Sequence, residues 1–253
     1  MYRDMRSRRR LVQAGAFITF NLGINTSLKT GIPCWGLFCY ACPLASTACP
    51  FGSLQHFIAL GLAPTYLIGW LLVQGGLLGR GVCGWLCPFG ALQDLFGGRK
   101  VRIHSKLRYL KYVNLAIAII ATYVLLDTAF CWFCPSGSFF GAVPYLITTG
   151  GEIFTLGIMI HLTILALAVG LFIMVSRFWC RYLCPLGAIY SFFNRYSLFN
   201  IKLDEEKCKR CLVCLESCPM GIRKLEGING SDCIKCGECV NSCKLGALKY
   251  EIF

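Results

Sequence analysis

The chain has 253 residues, of which 56% are hydrophobic and only 15% charged. A water-soluble domain of this size carries more charge, so most of the chain is expected in lipid with a small module attached. The formal net charge of +13 does not point to nucleic acid, because the basic residues flank apolar segments and no nucleic-acid motif is present.

Four apolar segments follow one another. Leu11 to Ser27 is the first, preceded by Arg3, Arg6, Arg8, Arg9 and Arg10 and softened by Asn21 and Asn25. This start looks like a signal peptide, but no small-residue cleavage site follows, so it reads as a retained membrane helix. Leu54 to Leu78 is the second, with Pro64 as a kink, Tyr109 to Phe130 the third and Ile153 to Ser176 the fourth. Each is near the ~20 residues that cross a bilayer. Arg80, Arg99, Lys100, Arg102, Lys106, Arg108 and Lys111 lie between segments two and three, and Arg177, Arg181 and Arg195 follow segment four. The loops at 29–53 and 131–152 hold Lys29 alone, so the positive-inside rule places both termini in the cytoplasm of a multi-pass inner-membrane protein.

An internal repeat carries cysteines. Arg80-x2-Cys83-x2-Leu86-Cys87-Pro88-x-Gly90 recurs as Arg177-x2-Cys180-x2-Leu183-Cys184-Pro185-x-Gly187, 97 residues on. Phe38-Cys39-Tyr40-x-Cys42-Pro43 recurs as Phe130-Cys131-Trp132-x-Cys134-Pro135, 92 residues on. The expected fold is an all-α membrane protein whose four transmembrane helices form two parallel helix-pair repeats, about 11–100 and 108–200 of a 1–200 membrane domain. On the inner face Cys83, Cys87, Cys180 and Cys184 offer the four thiolates a cubane takes, with zinc or a dithiol pair as the alternative. On the outer face Cys39, Cys42, Cys131 and Cys134 would make a second set. Cys34 and Cys49 are alternatives there, since Cys49-Pro50-Phe51-Gly52 echoes Cys87-Pro88-Phe89-Gly90; disulfides are the competing reading. No Cys-x2-Cys is followed by His, which argues against c-type haem. His56 and His161 are candidates for a quinone hydrogen bond or a core role, and Asp127 and Glu152 are outer acids that mark the interface or take protons.

The tail, 201–253, reads Cys208-x2-Cys211-x2-Cys214-x3-Cys218-Pro219 and then Cys233-x2-Cys236-x2-Cys239-x3-Cys243. This is the two-cluster bacterial ferredoxin spacing, in which the fourth ligand of each cubane comes from the other half. Cluster one would take Cys208, Cys211, Cys214 and Cys243, and cluster two Cys233, Cys236, Cys239 and Cys218. Both sets ligate iron in an α+β module. Lys244 replaces the usual second proline, which costs a rigid turn and no ligand. Lys207, Lys209, Arg210 and Lys235 would dock an acidic partner or face lipid headgroups.

At these residues the chain resembles the NapH/NosR-type membrane ferredoxins, iron–sulfur quinol dehydrogenase subunits of periplasmic nitrate and nitrous-oxide respiration. The paired motifs ending Cys87-Pro88 and Cys184-Pro185, with the tail, carry the resemblance. It implies electron exchange between the quinone pool and partner subunits of a larger oxidoreductase, through clusters on Cys83, Cys87, Cys180, Cys184 and the eight tail cysteines. Two tail [4Fe–4S] clusters and one or two more in the membrane part are expected. The outer cysteines fall outside that pattern and offer a route to a partner on the far side. The rival functions are a metal-cofactor assembly factor that reduces copper, and a redox sensor.

Overall fold

The computed structural model describes residues 4–22, 32–39, 45–98, 105–148 and 155–252. Its first helix, α1 (Asp4–Phe20), does not begin after the arginine cluster but runs through it. Arginine is a good helix former, and this half of α1 has partners elsewhere: Arg6 reaches Glu238 at 2.6 Å, and Arg9 pairs with Asp94. Leu11 to Phe20 then supplies only about 15 Å of apolar helix at ~1.5 Å per residue, half of the ~30 Å hydrocarbon core. The described helix of the expected Leu11–Ser27 span ends at Phe20, and residues 23–31 lie outside the described set.

The second expected span is also broken. It divides into α2 (Pro50–Ala59) and α3 (Thr65–Leu78). Gly61 takes a left-handed turn at φ +67°, and Pro64 forces its predecessor out of helical geometry. What the sequence suggested as a kink is a helix end.

Among the described residues two helices are long and apolar enough to cross a membrane. One is Lys106–Leu125, a 3₁₀ turn running into α6 (Leu110–Leu125), and the other is α9 (Leu156–Met174). About 17% of each is buried, and Ile117, Ile120, Val124, Met159, Leu167 and Ile173 stand exposed. The core helix of a soluble protein would bury such residues, so these faces call for lipid or a protein partner. The four-transmembrane architecture is thereby corrected to two candidate spans surrounded by shorter helices.

The paired motifs fold alike. α4 (Gly81–Trp85) carries Cys83 and is followed by α5 (Pro88–Leu95). α10 (Phe178–Tyr182) carries Cys180 and is followed by α11 (Pro185–Phe193). Near the other end, α7 (Pro135–Gly137) continues through a π-helical turn, Ser138–Ala142, into α8 (Val143–Thr148).

The tail closes with a two-stranded antiparallel sheet, β1 (Phe199–Leu203) on β2 (Leu248–Ile252), in the register Phe199 to Ile252 and Leu203 to Leu248. Short helices α12 (Val213–Glu216) and α13 (Glu238–Ser242) lie between the strands. The tail is packed onto the helices rather than trailing from them. One hydrophobic core runs from Phe38 and Phe51 through Phe89 and Phe172 to Met220 and Ile234. At the seam, Gly84 lies so close to the tail that a Cβ there would overlap the Ile234 carbonyl oxygen. Trp85 Nε1 donates to the Lys235 carbonyl at 2.9 Å, and Asn194 Nδ2 to that of Cys233 at 2.8 Å.

Candidate functional site: four sets of cysteines

The fold gathers the eight tail cysteines into two groups. One small pocket is lined by Cys208, Cys211, Cys214 and Cys243. A second is lined by Cys218, Cys233, Cys236 and Cys239, together with Cys214. Each half thus lends its last cysteine to the other's cavity. The two loops repeat one another in backbone: Arg210 and Leu212 in the first, Lys235 and Gly237 in the second, all have positive φ. Such left-handed residues cost non-glycines of order 1–3 kcal/mol each. Alternating hands turn successive peptide N–H groups inward, the nest that anionic iron–sulfur sites use.

Cys83, Cys87, Cys180 and Cys184 come together as the proximal set, next to the tail. Their charges lie within mutual range. Cys87 and Cys184 are N-caps in front of a proline, and their sulfurs accept the N–H of Gly90 at 3.4 Å and of Gly187 at 3.2 Å. Cys180 Sγ accepts from Gln93 Nε2 at 3.0 Å. Burial raises the Cys180 thiol to about 11 and the Cys236 thiol to about 12, so a strongly bound cation is needed to make thiolates of them.

That set lies beside a layer of buried guanidinium groups. Arg80 reaches across from its own motif to the Cys180 carbonyl at 2.7 Å, and Arg177 reaches back to the Cys83 carbonyl at 2.7 Å. Both are fully buried. Asp94 holds Arg177 and Arg9, and Asp232 faces Arg80, Arg108 and Lys111. With Arg6 and Glu238, six cations share three carboxylates across the seam. Burial alone would raise the Asp94 and Asp232 carboxyls, but these cations hold both below the usual carboxylate range. A buried excess of positive charge is costly unless anions balance it. Metal-bound thiolates in the two neighbouring sets would supply that balance.

The remaining cysteines gather at the other end of α6. Cys131 lies within charge range of Cys49 and Cys39, and Cys134 within range of Cys49, Cys131 and Cys39. Cys42 lies outside the described residues. Cys34 is fully buried and donates its thiol to the Gly36 carbonyl at 2.7 Å, with Cys49 on one side and Cys87 on the other.

The donor sets suit cubanes. Among the described residues no three His, Cys, Asp or Glu side chains converge on one metal ion. A cubane gives each thiolate an iron of its own, so its ligands stand farther apart than those of a single ion. Every described cysteine is a free thiol.

Other sequence candidates fall elsewhere. His56 is exposed, and His161 Nδ1 pairs with Ser138 Oγ at 3.0 Å. Asp127 is exposed, and Glu152 lies outside the described residues. Lys207, Lys209 and Arg210 are exposed around the first tail set. Lys235 is fully buried, bonded to the Asn194 carbonyl at 3.0 Å and to Ser197, so it cannot dock a partner. Sequence reasoning missed the role of Arg80 and Arg177, taking them for flanking charges. Their shared place three residues before Cys83 and Cys180 was the available signal.

Residues 46–63, 62–107, 113–147 and 158–204 match a family model described as a 4Fe-4S binding domain, and residues 200–244 one described as a 4Fe-4S dicluster domain. An uncharacterized protein of Methanocaldococcus jannaschii is 33% identical, over 72% of this chain and 76% of its own. The regulatory protein NosR of Pseudomonas aeruginosa is 32% identical over 61% of this chain and 22% of its own. The ferredoxin-type protein NapH of Escherichia coli is 24% identical over 54% of this chain and 46% of its own. No solved structure matches.

Proposed function

The chain belongs to the NapH/NosR-type polyferredoxins, iron–sulfur electron-transport proteins with [4Fe–4S] clusters, and from that premise we propose that it is the membrane-bound conduit of a larger oxidoreductase. It exchanges single electrons between a soluble partner at the tail and the membrane. The observation that carries this reading is the alignment of cysteine sets across the seam. Cys239 of the second tail set lies within charge range of Cys214 of the first, and Gly84, next to Cys83, touches Ile234 and Cys236.

A [4Fe–4S] cluster supplies one-electron chemistry when bound. The chain's own residues set the distances and surroundings. Cys208, Cys211, Cys214 and Cys243 would hold the outermost cluster, where Cys211 and the exposed Lys209 and Arg210 offer a docking face for an acidic partner. Cys218, Cys233, Cys236 and Cys239 would hold the next, and Cys83, Cys87, Cys180 and Cys184 the third. The cleft lined by Arg6, Arg10, Gln13, Asp94, Pro219 and Glu238 opens beside the second tail set. Its guanidinium and amide donors suit the carbonyl oxygens of a quinone. The exposed apolar faces of α6 and α9 support a junction next to lipid, and the arginine-rich flanks support the cytoplasmic side.

The test is an anaerobic iron and acid-labile sulfide count on the full chain. About twelve irons or more, with about four lost in a Cys83→Ser/Cys180→Ser double variant, is the expected result. About eight irons in both proteins would restrict clusters to the tail and overturn the conduit.

A further inference from the structure

We infer that Cys39, Cys49, Cys131 and Cys134 form a fourth iron–sulfur site, at the end of α6 remote from the tail, with Cys49 as its fourth ligand. The inference rests on the conduit reading and extends it by one site.

The distal set is assembled from the same parts as the proximal one. Cys49 caps α2 in front of Pro50 and accepts the Gly52 N–H at 3.4 Å, as Cys87 does with Gly90 in front of Pro88. Cys134 caps α7 in front of Pro135 in the same extended conformation. Six residues after its capping cysteine, Gln55 directs Nε2 at Cys131 Sγ at 3.6 Å; Gln93, at the same offset, contacts Cys180. Gln55 is aimed by two further contacts, accepting from Thr122 Oγ1 at 3.1 Å and the Phe130 N–H at 3.0 Å. With Oε1 held by those two donors the amide plane is fixed, and its Nε2 is turned toward Cys131. Cys39 completes the set. The π turn after α7 brings Gly137 and Gly141 under its thiol, where a Cβ on Gly141 would stand 3.2 Å from the sulfur. Side-chain-free helix surface is needed there for the thiol to reach its neighbours.

The loop that carries Cys39 also joins the two sets. The Leu37 N–H donates to Cys87 Sγ at 3.3 Å, and the next peptide N–H, that of Phe38, points at Cys49 Sγ. Gly36 is pressed onto Cys87, with room for no side chain: a Cβ would come 2.6 Å from the Cys87 Cα. Consecutive peptides of one chain therefore touch a ligand of each set. From Lys111, which binds Asp232 of the tail, to Thr122, which binds Gln55, α6 covers about 16 Å at ~1.5 Å per residue. The extra site makes the conduit two-ended, with the distal set on the side away from the tail. Transfer of a preassembled [4Fe–4S] cluster onto the four sulfurs releases the four thiol protons and changes no oxidation state.

The experiment compares iron, sulfide and electron paramagnetic resonance in full-length Cys39→Ser, Cys49→Ser, Cys42→Ser and Cys34→Ser proteins, prepared anaerobically. Loss of about four irons in Cys39→Ser and Cys49→Ser, with Cys42→Ser and Cys34→Ser unchanged, is the expected result. Serine keeps the N-cap of α2, and the irons retained elsewhere report that the chain has folded. Should Cys49→Ser fail to fold, Cys39→Ser, which caps no helix, decides. A loss in Cys42→Ser, or none in Cys39→Ser, overturns the assignment. Twelve irons in the parent that persist in all four variants would do the same and leave the three-set conduit intact.

Discussion

The proximal and distal sets share their cysteine caps, their glutamines and their neighbouring loop, yet they lie in different surroundings. The proximal set is bordered by Arg80 and Arg177, both fully buried, and through them by the whole cation layer of the seam. The distal set is bordered by Phe51, Phe130 and Phe140, with Ser138 and His161 behind them. An anionic site next to buried guanidinium groups gains an electron more readily than one among aromatic rings. The same ligand geometry is thus placed in two electrostatic settings, and the cations sit where the tail must also be held.

The sharpest way to break this comparison is to remove a cation. Arg177→Leu leaves the Cys83 carbonyl without its donor and Asp94 with Arg9 and Gln13 alone, and an unfolding cost on the order of 3 kcal/mol is expected from breaking a buried pair. His161→Leu, its counterpart beside the distal set, removes one hydrogen bond and should cost about 1 kcal/mol. Denaturant midpoints of the two variants measure both, and equal costs would show that the cation layer is not special.

A smaller effect comes from acid. Asp94 has a folded-state carboxyl held below its ordinary value, so its contribution is present above about pH 4 and fades as pH falls through the depressed value. Comparing acid unfolding of the parent with that of Asp94→Asn, we expect the stability gap to be open near pH 6 and to close toward pH 2. A gap that widens on acidification would contradict the pairing.

The smallest effect should separate the glutamines. Gln93→Leu removes a 3.0 Å contact to Cys180, and Gln55→Leu a 3.6 Å contact to Cys131. Loss of the first should lower the proximal midpoint potential by an amount on the order of 1 kcal/mol per electron. Loss of the second should shift the distal one by less. A potentiometric titration followed by paramagnetic resonance reads the two separately.

The tail was legible because its ligand spacing is local and rigid: eight cysteines at fixed intervals leave little freedom in which four meet. The capping role of Cys87 and Cys184 was legible too, since a proline at the first helical position announces a helix start. The four-span fold was not. Hydropathy counts residues in a window and does not register that Pro64 ends a helix, or that Arg6 and Arg9 belong inside one and find Glu238 across the chain. The same limit hid Arg80 and Arg177, whose charges fit a topology rule while their side chains point into the protein. Cys49 was placed among the alternatives by its echo of Cys87, and only the fold brings it beside Cys131 and Cys134.

The crossing of the tail sets has a consequence for biosynthesis. Cys208 and Cys214 are grouped with Cys243, and β1 has no partner until β2 has been made. At ~5–20 residues per second, the ribosome must pass Cys239 before the second tail group can close and Cys243 before the first can. Metal delivery to this protein is therefore a late event, and the cell must keep eight reactive thiols reduced through the interval.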